Sequence, residues 1–368
     1  MNKVKILHLQ VLPILSGVQN MMINLLSGLP PEKYEIYVIS RGGGELEQAV
    51  IQRGWTHIAV KSLCREISYK DIISAIKIHK IIKKIRPNIV HTHSAKTGFI
   101  GRIVARMLRV PLVIHTVHGF PFHDYQNTIT KYTYLLFESF AAMFAHYNVF
   151  VQNYEKDIAI NKYHYKPQKT LTIRNGIDIY DSQKTLFYHD DTLKIASVLR
   201  FSKQKNILQT IKQAINIVKK YQNVTFTFYG DGELFESCEK LIKEQDVADK
   251  IICPGWQTDI REKLLAHDVF LLNSLWEGLP ISILEAMSIG LPIIASNIKG
   301  NNELVSEQNG WLIDPNDTDG IDKVVKTIIE QPEMMSIKGT QSISIVTNHF
   351  RNELFIVGYS DLYDKIEE

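Results

Sequence analysis

Residues 269–296 read VFLLNSLWEGLPISILEAMSIGLPIIAS. The run 269–273 is short, apolar and continuous, as a strand buried on both faces must be. Gly278 and Pro280 punctuate the loop that follows. A helical pattern follows, with Pro280 suited to its first turn. A second apolar strand, 292–296, closes the unit. Strand, loop, helix and strand in this order make a crossover unit of a parallel sheet.

The same alternation extends outward in both directions. Towards the C-terminal side of the boundary, strands are predicted at 193–199, 224–229 and 251–253, with helices at 207–219 and 234–245. Further back, strands are predicted at 3–11, 34–40, 89–93, 112–117 and 147–151. Helices fall at 17–29, 71–85, 98–108 and 129–145. The pattern pauses near Asn175-Gly176-Ile177-Asp178, and 182–192 is polar and weakly patterned. The chain therefore divides into two doubly wound α/β domains, 1–178 and 179–348, each a Rossmann-like parallel sheet. Ligands of such sheets bind beyond the carboxyl ends of the strands, so a central cleft that both domains face is the expected site.

Composition narrows the class. At 368 residues, with 45% hydrophobic and 22% charged residues, the chain is ordinary for folded globular proteins. Cys64, Cys238 and Cys253 are scattered and odd in number, which excludes a disulfide scaffold and predicts a reducing, cytoplasmic setting. The start reads as a buried strand rather than a leader, because His8 and Gln10 break its apolar run. The most apolar long stretch, 135–151, contains Glu138 and His146, which argues against a membrane span. Charge is uneven. Residues 1–180 carry 23 Lys+Arg against 11 Asp+Glu and residues 181–368 carry 19 against 28, formal balances of +12 and −9. A basic half predicts an anionic partner for that half alone.

The loop of the opening stretch carries the chemistry. Gly278 lets backbone approach a ligand closely. The segment Gly278-Leu279-Pro280-Ile281 opens a helix whose unpaired N–H groups suit a diphosphate. Glu277 sits at the reacting end of the loop. Glu285 sits inside the helix, where a carboxylate can accept from two neighbouring hydroxyls. Two solvated glutamates flanking a helix are the bland alternative, but that leaves the Gly-x-Pro helix start unexplained.

Two glutamates separated by seven residues and continued by Ala286-Met287-Ser288-Ile289-Gly290-Leu291-Pro292 resemble the signature of the retaining glycosyltransferases of family 4. Gly300, Glu303 and Asn309-Gly310-Trp311 extend the match. The resemblance implies the GT-B fold and transfer of a sugar from a nucleotide-sugar, UDP-linked by preference, with retention by front-face substitution. Residues 1–178 become the acceptor domain and 179–348 the donor domain, with 349–368 as a helix crossing back to the first. Arg200 and Lys205 correspond to the cation pair that neutralises the donor diphosphate, where charge builds as the glycosidic bond breaks. The family usually places Gly after this Lys; here it is Asn206. Gly230-Asp231-Gly232 matches the base-binding loop, and Ser16-Gly17 the first turn, which offers backbone N–H groups to a phosphate. His118 falls beside the donor sugar. The subgroup it most resembles extends lipid-linked oligosaccharides for capsule, exopolysaccharide or O-antigen. Two other readings share the fold: a nucleotide-sugar 2-epimerase and a non-catalytic nucleotide-sugar-binding scaffold.

The remaining signals concern metals and partners. His91, His93, His115, His118 and His123 crowd into 33 positions. No carboxylate or cysteine joins them at metal spacing, so no metal is expected, nor any other cofactor. His91 and His115 read as core histidines, whereas His93 and Lys96 read as acceptor-side groups. Lys77, Lys80 and Lys84 share a helix face with Ile73 and Ile76, opposite Ile78, Ile81, Ile82 and Ile85. With the +12 half, this predicts peripheral contact with an anionic membrane surface, on the inner face of the cell membrane. No nucleic-acid motif accompanies the basic half.

Overall fold

The computed structural model describes residues 3–64, 68–120, 127–184, 187 and 192–367. The chain forms two compact units, one of Met1–Gly176 with Asn352–Glu368 and one of Ile177–Arg351.

In the first unit the elements run β1 (Val4–Leu9), α1 (Gly17–Ser27), β2 (Tyr34–Ser40), α2 (Glu45–Gln52), β3 (Thr56–Ala59) and α3 (Lys70–Ile85). Then come β4 (Ile89–His93), α4 (Ala95–Met107), β5 (Leu112–Val117), α5 (Thr128–Ala142), β6 (Tyr147–Phe150), α6 (Asn153–Asn161) and β7 (Thr170–Thr172). The strands pair in parallel in the order β3-β2-β1-β4-β5-β6-β7. Chain order reverses between β1 and β4, the point where doubly wound sheets open for ligands. The helix α2 and the strand β3 have no counterpart in the sequence reading. At four residues, β3 is too short to show a period, and no residue of it is fully buried.

Side chains alternate between faces, so each strand serves two cores. Leu7, Leu9, Val90 and Val113 pack with Ile78 and Ile82 of α3 and Val104 of α4. This is the apolar stripe predicted for 78–85. The intervening residues of β1 and β4, His8, His91 and His93, face the other way.

The second unit runs β8 (Leu193–Val198), α7 (Ile207–Lys220), β9 (Val224–Tyr229), α8 (Phe235–Glu244), β10 (Ile251–Gly255), α9 (Ile260–Leu264), β11 (Val269–Leu272), α10 (Ile281–Ser288), β12 (Ile293–Ser296), β13 (Gly310–Ile313), α11 (Gly320–Glu330) and α12 (Glu333–His349). The sheet is again parallel, in the order β10-β9-β8-β11-β12-β13, with its reversal between β8 and β11. Both sheets are thus Rossmann-like, as the alternation predicts. Pro280 lies one position earlier than the sequence suggests: it precedes α10 at φ −71° and ψ 114°, an extended conformation.

The last helix, α13 (Asn352–Asp364), returns to the first unit. Gly28, just past α1, makes room for it; a Cβ there would lie 2.2 Å from Ile356 Cδ1. Tyr34 on β2 donates to Asp364 at 3.1 Å. Among the described residues, no helix is long and apolar enough to cross a membrane.

Candidate active site

In the second unit the carboxyl ends of β8 and β11 carry the predicted charged residues. Lys205 ends a short 3-10 turn, and its ammonium donates to Glu277 Oε1. Ser274 Oγ donates to the same carboxylate oxygen at 2.7 Å. The side chains of Lys205 and Glu277 are only 17% and 7% exposed, so their pairing is shielded from solvent. Backbone stitches the two loops together, with Leu275 N donating to Gln204 O at 2.8 Å. Asn206 has φ +52° and ψ 29°, in the left-handed region. That explains a Gly preference after this lysine, and Asn is the side chain that tolerates the region best after Gly.

Arg200 lies just beyond β8, and its guanidinium is 3.2 Å from Glu233 with both side chains more than half exposed. A pair so exposed contributes little, so the guanidinium remains available to an anion. Gly230 (φ +133°) and Gly232 (φ +156°) are demanded by close packing. A Cβ on Gly230 would sit 1.8 Å from Leu199 O, and one on Gly232 2.6 Å from Phe201 O. The Gly-Asp-Gly turn therefore lies flat against the backbone on either side of Arg200.

Gly278 meets a similar close approach. A Cβ on Gly300 (φ +91°) would lie 2.0 Å from Gly278 O. Leu279 is buried while Ile281 is half-buried, at the first position of α10. Glu285, one turn on, is half-buried and has no hydrogen-bond donor to its carboxylate among the described residues. Burial pushes its carboxyl up to about 7, opposed by the charge of Arg261.

In the first unit His118 follows β5. Its Nε2 is 3.0 Å from Nδ1 of His93, the last residue of β4. His93 Nε2 is in turn 2.9 Å from His8 Nδ1 on β1. Burial holds His118 down to about 4 and His8 down to about 3, so all three rings are neutral near pH 7. His91 bridges Tyr363 Oη and Thr116 Oγ1, each at 2.7 Å. His115 faces the opposite side of the sheet. It bonds Thr92 at 2.9 Å near the buried Arg102–Glu138 ion pair, and a Cβ on Gly98 would meet it at 2.4 Å. His91 and His115 are thus satisfied core groups, whereas His93 contacts His118 directly. Ring nitrogens of His8, His91 and His93 lie within 4.8 Å of one another, a spacing that a metal ion can bridge. Each of these nitrogens already has a hydrogen-bond partner. His123 lies outside the described residues.

Two predicted residues are placed less directly. Lys96 directs its ammonium at Asp71 Oδ1, 2.7 Å away. Gly17 begins α1, and the preceding Ser16 donates to the Gln19 side chain rather than capping the helix. Sequence reasoning passed over Ser274, His8, Tyr359 and Tyr363. Ser274 lies three residues before Glu277, a spacing too common to stand out. His8 is signalled only by register, since it pairs with His91 across two strands whose pairing is unknown beforehand.

Comparison with known proteins agrees with this geometry. A family model described as Glycosyltransferase Family 4 matches residues 15–180, and one described as Glycosyl transferases group 1 matches 181–341. The chain is 35% identical to the UDP-Gal:alpha-D-GlcNAc-diphosphoundecaprenol alpha-1,3-galactosyltransferase of Escherichia coli, over 98% of this chain and 97% of the relative. It is 26% identical to the alpha-monoglucosyldiacylglycerol synthase of Acholeplasma laidlawii, over 96% of each. Among solved structures, Anabaena HepE in complex with UDP and glucose superposes with a TM-score of 0.83 at 17% identity, over 98% of this chain and 99% of that one. Two parallel Rossmann-like sheets, two matching family models and a near full-length relative converge: the chain belongs to the family 4 glycosyltransferases and has the GT-B fold.

Proposed function

We propose that this glycosyltransferase moves a hexose, galactose first among candidates, from a UDP-sugar to a sugar carried on a lipid diphosphate. The setting is surface-polysaccharide synthesis at the inner face of the cell membrane. The acceptor class rests on the near full-length Escherichia coli relative, whose name gives UDP-Gal as donor and a diphosphoundecaprenol-linked sugar as acceptor.

The observation that carries the donor half is the Glu285 carboxylate, half-buried and without a hydrogen-bond donor among the described residues. A desolvated carboxylate gains most from hydroxyl donors, and a ribose supplies two on adjacent carbons. Glu277 fixes the Lys205 ammonium at the sheet's reversal point, and Arg200 stands close by in the chain. These cations balance the charge that collects on the departing UDP. The Gly278–Ile281 segment and the Gly230–Gly232 turn bring backbone to the diphosphate and base. We assign His118 to the transferred sugar, with His93 beside it, Gly17 to the donor side, and His93 and Lys96 to the acceptor side. The acceptor hydroxyl attacks the anomeric carbon from the face the phosphate leaves, and the phosphate oxygen takes its proton, so configuration is retained. Fixed cations supply the charge stabilisation, and we propose that no metal is required.

The membrane half rests on the first unit's outer helices. On α3, Ile72, Ile73 and Ile76 are exposed beside Lys77, Lys80 and Lys84. On α5, Ile129, Tyr132, Leu136 and Phe140 are exposed at helical spacing. Apolar side chains interleaved with lysines suit an anionic lipid surface.

Thermal shift with a panel of UDP, GDP and their sugars in EDTA tests the donor assignment. Stabilisation by UDP and UDP-sugars alone supports it. Stabilisation by GDP compounds alone overturns the base, and a response that needs a divalent cation overturns metal independence.

A further inference from the structure

The histidines on one face of the first sheet form a continuous chain of hydrogen bonds with two tyrosines of α13. From its buried end the chain runs Tyr359 Oη to Thr116 Oγ1 (2.7 Å), Thr116 to His91 Nε2 (2.7 Å) and His91 Nδ1 to Tyr363 Oη (2.7 Å). It continues from Tyr363 to His8 Nε2 (3.2 Å), His8 Nδ1 to His93 Nε2 (2.9 Å) and His93 Nδ1 to His118 Nε2 (3.0 Å). Every member except His118 is buried.

Counting protons fixes the direction of this chain. Six hydrogen bonds join seven side chains, and each neutral hydroxyl or imidazole brings one movable proton. One proton is therefore left over. An internal histidine cannot be the member that keeps it, because a neutral ring has one N–H and must donate to one side. If Tyr359, Thr116 or Tyr363 keeps it, a buried hydroxyl proton has no acceptor among the described residues, which is costly. Only His118 can turn the spare proton towards the open side. All donors then point one way, from Tyr359 to His118. His118 accepts at Nε2 and carries its proton on Nδ1.

We propose that Tyr363 is a positioning residue that, through His8 and His93, locks His118 in the Nδ1–H form, so that it presents a hydrogen-bond donor to the transferred sugar. This rests on the assignment of His118 to that sugar. A free imidazole favours the proton on Nε2, so the relay holds His118 in its less favoured form. Tyr363 sits where the chain passes between its two groups of buried side chains. Without its hydroxyl, the segment His8–His93–His118 has one unsatisfied buried nitrogen whichever way the donors point. The intrinsic preference then decides, and the three rings turn over together to Nε2–H. Tyr359 differs. Without its hydroxyl, Thr116 begins the chain, and reversing it would still strand a buried proton.

Two-bond 1H–15N spectra of the full-length protein labelled with 15N-histidine read the tautomer directly, with His118→Gln assigning the signal. Expected are a protonated Nδ1 and an unprotonated Nε2 for His118 in the wild type and in Tyr359→Phe, and the reverse in Tyr363→Phe. A wild-type Nε2–H form would overturn the relay. So would a Tyr363→Phe spectrum matching the wild type, or a retained metal ion that shifts His8, His91 and His93 together. Since both tyrosine variants remove one hydroxyl from the same helix, general loosening would affect them alike. Full transfer by His118→Ala would remove the sugar assignment while leaving the tautomer result standing.

Discussion

The carbonyl oxygen of Gly278 occupies the space where a side chain on Gly300 would begin, 2.0 Å from the ideal Cβ position. The loop after β12 thereby braces the loop that carries Glu277. Gly300→Ala must push Gly278 aside and hold a non-glycine residue at φ +91°. Strain of this kind costs about 1–3 kcal/mol. Lower thermal stability together with weaker UDP binding by calorimetry is the expected result.

Glu285 predicts a pH dependence of donor binding. Its carboxyl lies near 7 because burial penalises the charged form. If Glu285 holds the ribose as proposed, its ionised form is the acceptor, so affinity should rise between pH 6 and 8, by about tenfold for a single group titrating at 7. Glu285→Gln should bind weakly with a flat profile. The stability effect has the opposite sense. A carboxyl raised above its unfolded value favours the folded state in acid. That advantage is lost as pH rises from 4.5 to 7. Glu285→Gln should accordingly melt above the wild type at pH 8.

Arg102 and Glu138 form an ion pair with side chains 0% and 5% exposed. Removing one partner strands a buried charge, at about 3–5 kcal/mol. Glu138→Ala should unfold the first unit at markedly lower urea, followed by the fluorescence of Trp55.

A triple Lys77/Lys80/Lys84→Glu variant should float poorly with anionic liposomes while retaining its UDP-induced thermal shift. Flotation equal to the wild type would remove α3 from the membrane surface.

How much was legible in the sequence follows from range. The residues 269–296 show their crossover unit because strand, glycine, proline and helix are contiguous. Glu277 and Glu285 share one loop and helix, so their pattern survives without coordinates. The Lys205–Glu277 contact spans 72 positions and depends on β8 lying beside β11, so composition and period carry no trace of it. The histidine chain was harder still. His91, His93 and His118 stood out by number, but His8 joins only through the β1–β4 register, and Tyr359 and Tyr363 only because α13 returns to the first sheet. The preference for Gly after Lys205 became intelligible only with the left-handed φ of Asn206.

The proposed reaction is sugar transfer from UDP-galactose to a lipid-diphosphate-linked sugar without a metal. Incubating the protein with radiolabelled UDP-galactose, a synthetic GlcNAc-diphosphate lipid and EDTA measures it directly. One labelled galactose on the lipid product is expected for each UDP released, with Glu277→Ala and Arg200→Ala strongly slowed. Binding of UDP-galactose with no label reaching the lipid, or transfer that stops in EDTA, would contradict it.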